Sequence, residues 1–177
     1  TAAIGAAKDT IDAAYNIPEM YEFLDYVHVM CYDYHGKWDL VTGYNAPLNA
    51  HPSEVGDQRY MNINFTINYL INNGAKPEKT ILGVPLYGRT FLLVKPWNNT
   101  VQSPSKNISF EGPYSGEEGF LGYNEICILE ETSNWTIAWD KNCTVPYMYK
   151  GNQWISYDNT KSLKTKAEFS FAHKLAG

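Results

Sequence analysis

Two short runs, residues 26–32 (Tyr-Val-His-Val-Met-Cys-Tyr) and 80–87 (Thr-Ile-Leu-Gly-Val-Pro-Leu-Tyr), are apolar at nearly every position and rich in β-branched and aromatic residues. Runs of that kind read as strands buried on both faces. Stripes at helical spacing alternate with them. Residues 9–24 carry Ile11, Ala14, Ile17, Met20, Phe23 and Leu24, with Pro18 at the first turn of a short helix. Residues 57–73 carry Tyr60, Ile63, Ile67, Leu70 and Ile71. Asn72-Asn73-Gly74 ends that stripe, and Gly74 fits the left-handed residue that closes a helix. The small apolar start, residues 1–7, reads as the end of a further strand. Apolar strands alternating with helices predict a parallel sheet covered on both sides. A doubly wound sheet and a (β/α)8 barrel both satisfy that order. No Gly-x-Gly-x-x-Gly follows either strand, which removes the main reason to expect a dinucleotide site.

The pattern changes at about Gly88. Pro96, Pro104, Gly112, Pro113, Gly116 and Gly119 punctuate the chain, and helical periodicity fades until residues 121–130. Short alternating runs appear at 91–94, 135–139, 145–149 and 153–157, and Lys150-Gly151-Asn152 makes a hairpin turn. Residues 88–158 are therefore predicted to be an inserted α+β module with antiparallel hairpins. Residues 1–87 precede it as the α/β part, and 159–177 return to that part as a helix bearing Leu163, Ala167, Phe169 and Phe171. Asn159 or Thr160 is placed to cap this helix, and Asp158 suits its positive end.

The chain has 177 residues with a formal net charge of −5 and no basic block, so nucleic acid is excluded as an expected partner. No transmembrane run appears, and the first residues lack the layout of a signal peptide. Asn-x-Ser/Thr sequons at Asn64, Asn98, Asn107, Asn134 and Asn142 point to a secreted, extracellular glycoprotein. Three cysteines, Cys31, Cys127 and Cys143, leave at least one thiol free or paired outside the chain, and Cys31 reads as a buried thiol. The aromatic share of 15% fits either a Tyr-rich β surface or a carbohydrate-binding one.

Both strands end in chemistry. Asp33 falls where the first run gives way to a loop, and an acid there is costly unless it is paired or catalytic. The plain alternative is an Asp that caps a turn. Strand alternation puts Met30 and Tyr32 on one face. The long connection 35–52 is a candidate functional loop. Tyr87 and Arg89 are two apart and can face one side. They suit a grip on sugar hydroxyls or a carboxylate, or else a structural pair between Arg89 and an acid such as Asp33.

Together the two clusters resemble family 18 glycoside hydrolases, the chitinases and chitinase-like proteins. Met30-Cys31-Tyr32-Asp33 followed by His35-Gly36 and Trp38 looks like the sixth barrel strand and its loop, and Thr42-Gly43-Tyr44-Asn45-Ala46-Pro47-Leu48 matches the family's continuation. Gly83-x-Pro85-x-Tyr87-Gly88-Arg89-x-Phe91 looks like the seventh strand. Gly122-Tyr123-Asn124-Glu125-Ile126-Cys127, Val145-Pro146-Tyr147 and Gln153-Trp154-Ile155-Ser156-Tyr157-Asp158 resemble parts of its α+β insertion domain. The style is arthropod. The resemblance implies an α/β fold, part of a (β/α)8 barrel covering about strands 5–7 with their helices.

The resemblance also implies roles. The substrate's own acetamido oxygen attacks the anomeric carbon in this family, an exception to the two-carboxylate scheme. Tyr32 would donate to that oxygen, and Asp33 would orient the acetamido N–H and stabilise the developing positive charge. Met30 would wall the pocket, Tyr87 and Arg89 would hold neighbouring sugars, and Trp38 would stack on a sugar on the leaving-group side. The implied partner is chitin or a chitooligosaccharide, bound by a monomeric full-length protein without metal or cofactor. Cys127 and Cys143, 16 positions apart in the inserted module, form the candidate disulfide, and closing such a loop is worth about 3 kcal/mol.

One departure dominates. The family's general acid ends an Asp-x-x-Asp-x-Asp-x-Glu run, and no such run occurs here. The chain is thus expected to be about the second half of a catalytic domain, without the first four strands or the eighth. A chitinase fragment is the leading reading, and a non-catalytic chitinase-like lectin is the alternative. Tyr32, Asp33, Tyr87 and Arg89 together favour the hydrolase.

Overall fold

A computed structural model describes residues 1–132 and 134–177. Strands β1 (Ala2–Gly5), β2 (Val27–Met30) and β3 (Thr80–Leu82) form a parallel sheet in the order β1-β2-β3. The register pairs Ile4 with Val29, and Val29 with Leu82. Helices α1 (Lys8–Ala14), α2 (Ile17–Phe23) and α3 (Ile63–Asn72) connect these strands. The stripe over 9–24 is two helices rather than one, because Tyr15 is extended and Pro18 opens α2. Gly74 closes the end of α3 with φ +100, as its position demands.

The apolar faces of the helices and the residues Ile4, Val27, Val29 and Leu82 make one core with Ile11, Ile17, Tyr21, Ile63, Ile67 and Leu70. Each fully buried aliphatic side chain contributes about 1.5–3 kcal/mol. Buried hydroxyls lock helix α2 to β3 and helix α3 to the loop after β2: Tyr21 meets Thr80 at 2.8 Å, and Tyr34 meets Thr66 at 2.7 Å. Within these residues the helices cover one face of the sheet, as expected of part of a barrel. Val27 and Val29 are buried under the helices, whereas His28 is half-buried and Met30 exposed on the other face. Strand alternation gives that asymmetry directly.

The run 80–87 is also not one strand. It breaks at Gly83, and β4 (Tyr87–Leu92) belongs to a second sheet. There β4 joins β5 (Phe120–Gly122), β6 (Thr136–Asp140), β7 (Val145–Lys150) and β8 (Gln153–Ser156) in the antiparallel order β5-β4-β8-β7-β6. Gly151, at φ +57, turns the β7–β8 hairpin where Lys150-Gly151-Asn152 predicts it. Alternation along these strands separates two small cores. Phe91, Val145, Trp154 and Cys143 pack on one side, and Met148, Ile155, Tyr157 and Ile126 of α4 (Tyr123–Thr132) on the other. The antiparallel sheet thus matches the insertion-type module that the sequence suggests.

That separation corrects the disulfide expectation. Cys127 lies on α4 beside Tyr123, while Cys143 is buried in the core of the opposite sheet face. Among the described residues all three cysteines are free thiols.

The final helix, α5 (Thr160–Ala172), starts with a capping box: the Asn159 side chain accepts from Ser162 N–H while the Ser162 hydroxyl accepts from Asn159 N–H. Its buried face is polar, carrying Ser162, Lys166 and Ser170, and Phe171 points to solvent. Asp158 does not serve the helix end alone. Its carboxylate accepts from the buried Lys166 ammonium at 2.5 Å. Beyond α5 the chain returns to the parallel sheet, where Ala176 N–H donates to Thr80 and Leu82 N–H donates to Gly177.

Candidate functional site

The site forms where the carboxyl end of β2 meets the amino end of β4. After Met30 the chain turns through Tyr32 to Asp33, whose φ is +60. Asp is one of the few non-glycine residues that adopt this conformation readily. The Asp33 N–H donates to Asn45 Oδ1 at 2.9 Å. Asn45 is wholly buried, takes its own N–H to the Ser156 hydroxyl at 2.7 Å, and donates Nδ2 to the Tyr87 carbonyl at 3.3 Å. One asparagine therefore clips the β2 loop to β4 and β8 of the second sheet.

That clip brings Tyr87 and Arg89 onto Asp33. The Tyr87 hydroxyl donates to Asp33 Oδ1 at 2.7 Å, Arg89 Nε donates to the same oxygen at 2.8 Å, and a terminal Arg89 nitrogen reaches it at 2.7 Å. Tyr87 and Arg89 are two apart on β4, so they project from one face, as the sequence predicts. Among the described residues Oδ2 of Asp33 has no hydrogen-bond donor. Burial, reinforced by the Asp33 carboxylate, pushes the Tyr87 phenol well above its ordinary range, so it stays a proton donor.

Aromatic rings frame this charge pair. The Arg89 guanidinium lies 5.2 Å from the Trp38 ring, 5.3 Å from Tyr87 and 5.8 Å from Phe120. Phe120 stacks on Tyr87 at 4.9 Å, and Tyr32 meets Tyr87 edge-on at 6.0 Å. Trp38 is half exposed, with its ring laid over Gly36, where any Cβ would overlap it. Gly83 is equally forced: a Cβ there would meet the Val29 carbonyl at 2.6 Å and the Tyr32 ring at 3.1 Å. Beside the pair, Met30, Tyr32 and Asp33 line a cavity of about 220 Å³ with Ala6, Ala7 and Met61.

All six residues singled out for chemistry, Met30, Tyr32, Asp33, Trp38, Tyr87 and Arg89, thus converge on one region. Asn45 and Phe120 are additions. Asn45 lies within the quoted stretch 42–48, but no local signal marks an asparagine as a clip. Phe120 is 31 positions from Arg89 and only strand pairing, Arg89 against Phe120, brings it in. Of the sequon asparagines, Asn98, Asn107, Asn134 and Asn142 are exposed. Asn64 is half-buried, and its amide donates to Asn49 Oδ1 at 3.0 Å. No group of three or more His, Cys, Asp or Glu side chains suited to a metal occurs among the described residues. No helix there is long and apolar enough to cross a membrane.

Comparison with known proteins gives a consistent result. The model for glycosyl hydrolases family 18 matches residues 1–177. Probable chitinase 2 of Drosophila melanogaster is 43% identical over 100% of this chain and 37% of its own length. The Group IV chitinase of Ostrinia furnacalis, solved in complex with allosamidin, superposes with a TM-score of 0.94 at 40% identity, covering 99% of this chain and 48% of that one. Human YKL-39, a pseudo-chitinase with retained chitooligosaccharide binding properties, superposes with a TM-score of 0.94 at 34% identity over 99% and 48%. The chain spans less than half the length of each of these relatives.

Proposed function

The chain belongs to the glycosyl hydrolases of family 18, and from that premise we propose that it is part of a secreted chitinase acting on β-1,4-linked N-acetylglucosamine chains. Residues 1–87 and 159–177 serve as part of a (β/α)8 barrel and 88–158 as the inserted domain. The observation that carries the reading is the state of Asp33. Its Oδ1 is held by the Tyr87 phenol and the Arg89 fork, while among the described residues Oδ2 has no donor of its own. An acetamido N–H is a donor of the right kind for that oxygen. An acceptor oriented by two donors on its other oxygen has its direction set before substrate arrives.

In this mechanism Tyr32 donates to the substrate's acetamido oxygen, and the Asp33 carboxylate stabilises the positive charge that grows as that oxygen attacks. Met30 walls the pocket, and Trp38 stacks on a sugar on the leaving-group side. Arg89 fixes the Asp33 carboxylate in place and faces the Trp38 ring with its cationic fork. The family's general acid belongs to a run these residues do not contain. YKL-39 gives the second reading its basis: a protein of this fold is a pseudo-chitinase that keeps chitooligosaccharide binding, so a lectin would use the same six residues without turnover. Monomeric state, secretion and glycosylation at the exposed sequons are parts of the same proposal.

Calorimetry with chitotetraose and turnover of a chitooligosaccharide reporter by the full-length protein test it together. Binding with turnover supports the chitinase, and binding alone supports the lectin. Absence of binding to the intact protein overturns both.

A further inference from the structure

His35 and Glu54 are both almost completely buried, and His35 Nε2 lies 3.8 Å from Glu54 Oε1. Among the described residues neither atom has a hydrogen-bond partner. The other ring nitrogen, Nδ1, lies 3.1 Å from Asp39 Oδ2, an oxygen that also accepts the Gly36 N–H at 3.1 Å. An ionised carboxylate only accepts, so Nδ1 carries its proton there. In a neutral ring Nε2 is then a bare lone pair. Ionised Glu54 also offers only lone pairs. Two buried acceptors facing each other leave both unsatisfied, at substantial cost.

One additional proton removes the conflict. It sits either on Nε2, giving an imidazolium beside a carboxylate, or on Oε1, giving a carboxylic acid that faces Nε2; either form turns the repulsive 3.8 Å approach into an attractive one. We propose that His35 and Glu54 share one proton, and that this proton fixes the 35–39 turn that presents Trp38 to saccharide. The role of Trp38 rests on the functional reading above; the shared proton does not.

The turn is built so that this pair controls it. The Asp39 N–H donates to the Gly36 carbonyl at 2.9 Å and closes the turn. Trp38 rests on Gly36 at its centre. The His35 ring is backed by Gly43, where any Cβ would collide with it. Glu54 is itself anchored, its Oε2 accepting the His51 N–H at 3.0 Å. Burial pushes the Glu54 carboxyl above its ordinary range, opposed by His35 and the His51 N–H and aided by Asp140. The charged and titratable groups around the pair are few. Asp39 lies on the turn itself. His51, 3.5 Å from Asp140, flanks Glu54. Lys8, Asp9 and Asp57 line a cavity of about 220 Å³ with His35 and Asp39.

The test uses the full-length protein. Nitrogen NMR of ¹⁵N-labelled histidine should show His35 protonated at Nδ1, with Nε2 at a shift displaced from a free lone pair, and the displacement should vanish as pH rises. Chitotetraose affinity should fall over the same pH range, with kcat little changed. Glu54→Gln keeps the shape and offers either an N–H or a carbonyl to Nε2 without titrating. It should hold affinity within about twofold and abolish the alkaline fall, since one hydrogen bond replaces another. Glu54→Leu should weaken chitotetraose binding about tenfold and alter Trp38 fluorescence, because Nε2 is left unpaired. A His35 Nε2 that reports an ordinary lone pair at neutral pH in the unmodified protein overturns the proposal, whether or not the variants fold. So does a Glu54→Gln protein that keeps the parent's alkaline fall. If no saccharide binds at all, the functional reading fails while the NMR result still decides the proton.

Discussion

Tyr87 and Arg89 spend their donors on a single oxygen of Asp33, so the effect of replacing that residue separates its two roles. Asn keeps an oxygen for these donors and tolerates φ +60, but it carries no charge. In the full-length protein, Asp33→Asn should therefore leave chitotriose binding largely intact while turnover falls by about 10²–10⁴-fold, the usual contribution of a positioned catalytic group. Steady-state kinetics with calorimetry checks this, and turnover within about threefold of the parent would make Asp33 a structural turn residue. Arg89→Lys should act the other way. A point charge replaces a planar fork that grips Oδ1 and faces three rings, so affinity should fall about tenfold by calorimetry with a smaller loss in kcat. The residues of this site were legible because chemistry clusters at strand ends. The sequence reading also left open a structural Arg89–Asp33 pair, and that pair exists. It is compatible with catalysis because one oxygen remains open. What sequence could not show was Asn45, whose role depends on three contacts 12, 42 and 111 positions away.

At the scale of elements, polar groups define the joints. Glu125, in the first turn of α4 and buried, accepts Tyr114 N–H at 2.8 Å and Ser115 N–H at 3.0 Å on one oxygen, and Gly122 N–H at 2.8 Å on the other. Burial opposes its charge, yet the three N–H donors outweigh it and hold the carboxyl below its ordinary value of about 4.5. A carboxyl whose folded value is depressed adds stability that is present above the unfolded value and lost as pH falls through the folded one. Glu125→Gln faces an amide NH₂ toward at least one of those N–H groups. It should destabilise the protein by about 1–3 kcal/mol at neutral pH and remove this part of the acid dependence, measurable by urea unfolding between pH 3 and pH 7. Element types were largely readable from periodicity, as α3 and the β7–β8 hairpin show. Boundaries were not. Residues 80–87 are apolar throughout, and only Gly83, pressed between Val29 and Tyr32, reveals why the strand stops and the chain crosses to a second sheet. The buried face of α5 was hidden for the opposite reason. Lys166 and Asp158 form an ion pair inside, so a polar stripe faces inward while Phe171 faces water.

For the whole molecule the decisive fact is that the helices cover one face of a three-stranded parallel sheet. Ala3 and Met30 on the other face are exposed, and among the described residues β1 pairs only with β2. Parallel sheets are stable with both faces covered and both edges paired. The far edge of β3 is met by Ala176 and Gly177 through two hydrogen bonds, whereas the outer edge of β1 has no strand partner among the described residues. In relatives of this fold the matching region is less than half of the chain, and a (β/α)8 barrel typically takes about 250 residues. Open edge and open face together predict that these 177 residues, prepared alone, self-associate as concentration rises. They also supply no carboxylic acid at the end of an Asp-x-x-Asp-x-Asp-x-Glu run, so a bound sugar would find an oriented acetamido group but no proton for its leaving oxygen. The refolded chain alone should therefore leave a chitooligosaccharide reporter uncleaved while light scattering grows with concentration. Turnover by the pure chain would mean that an acid outside the family's pattern does the work, and the half-site reading would have to be abandoned.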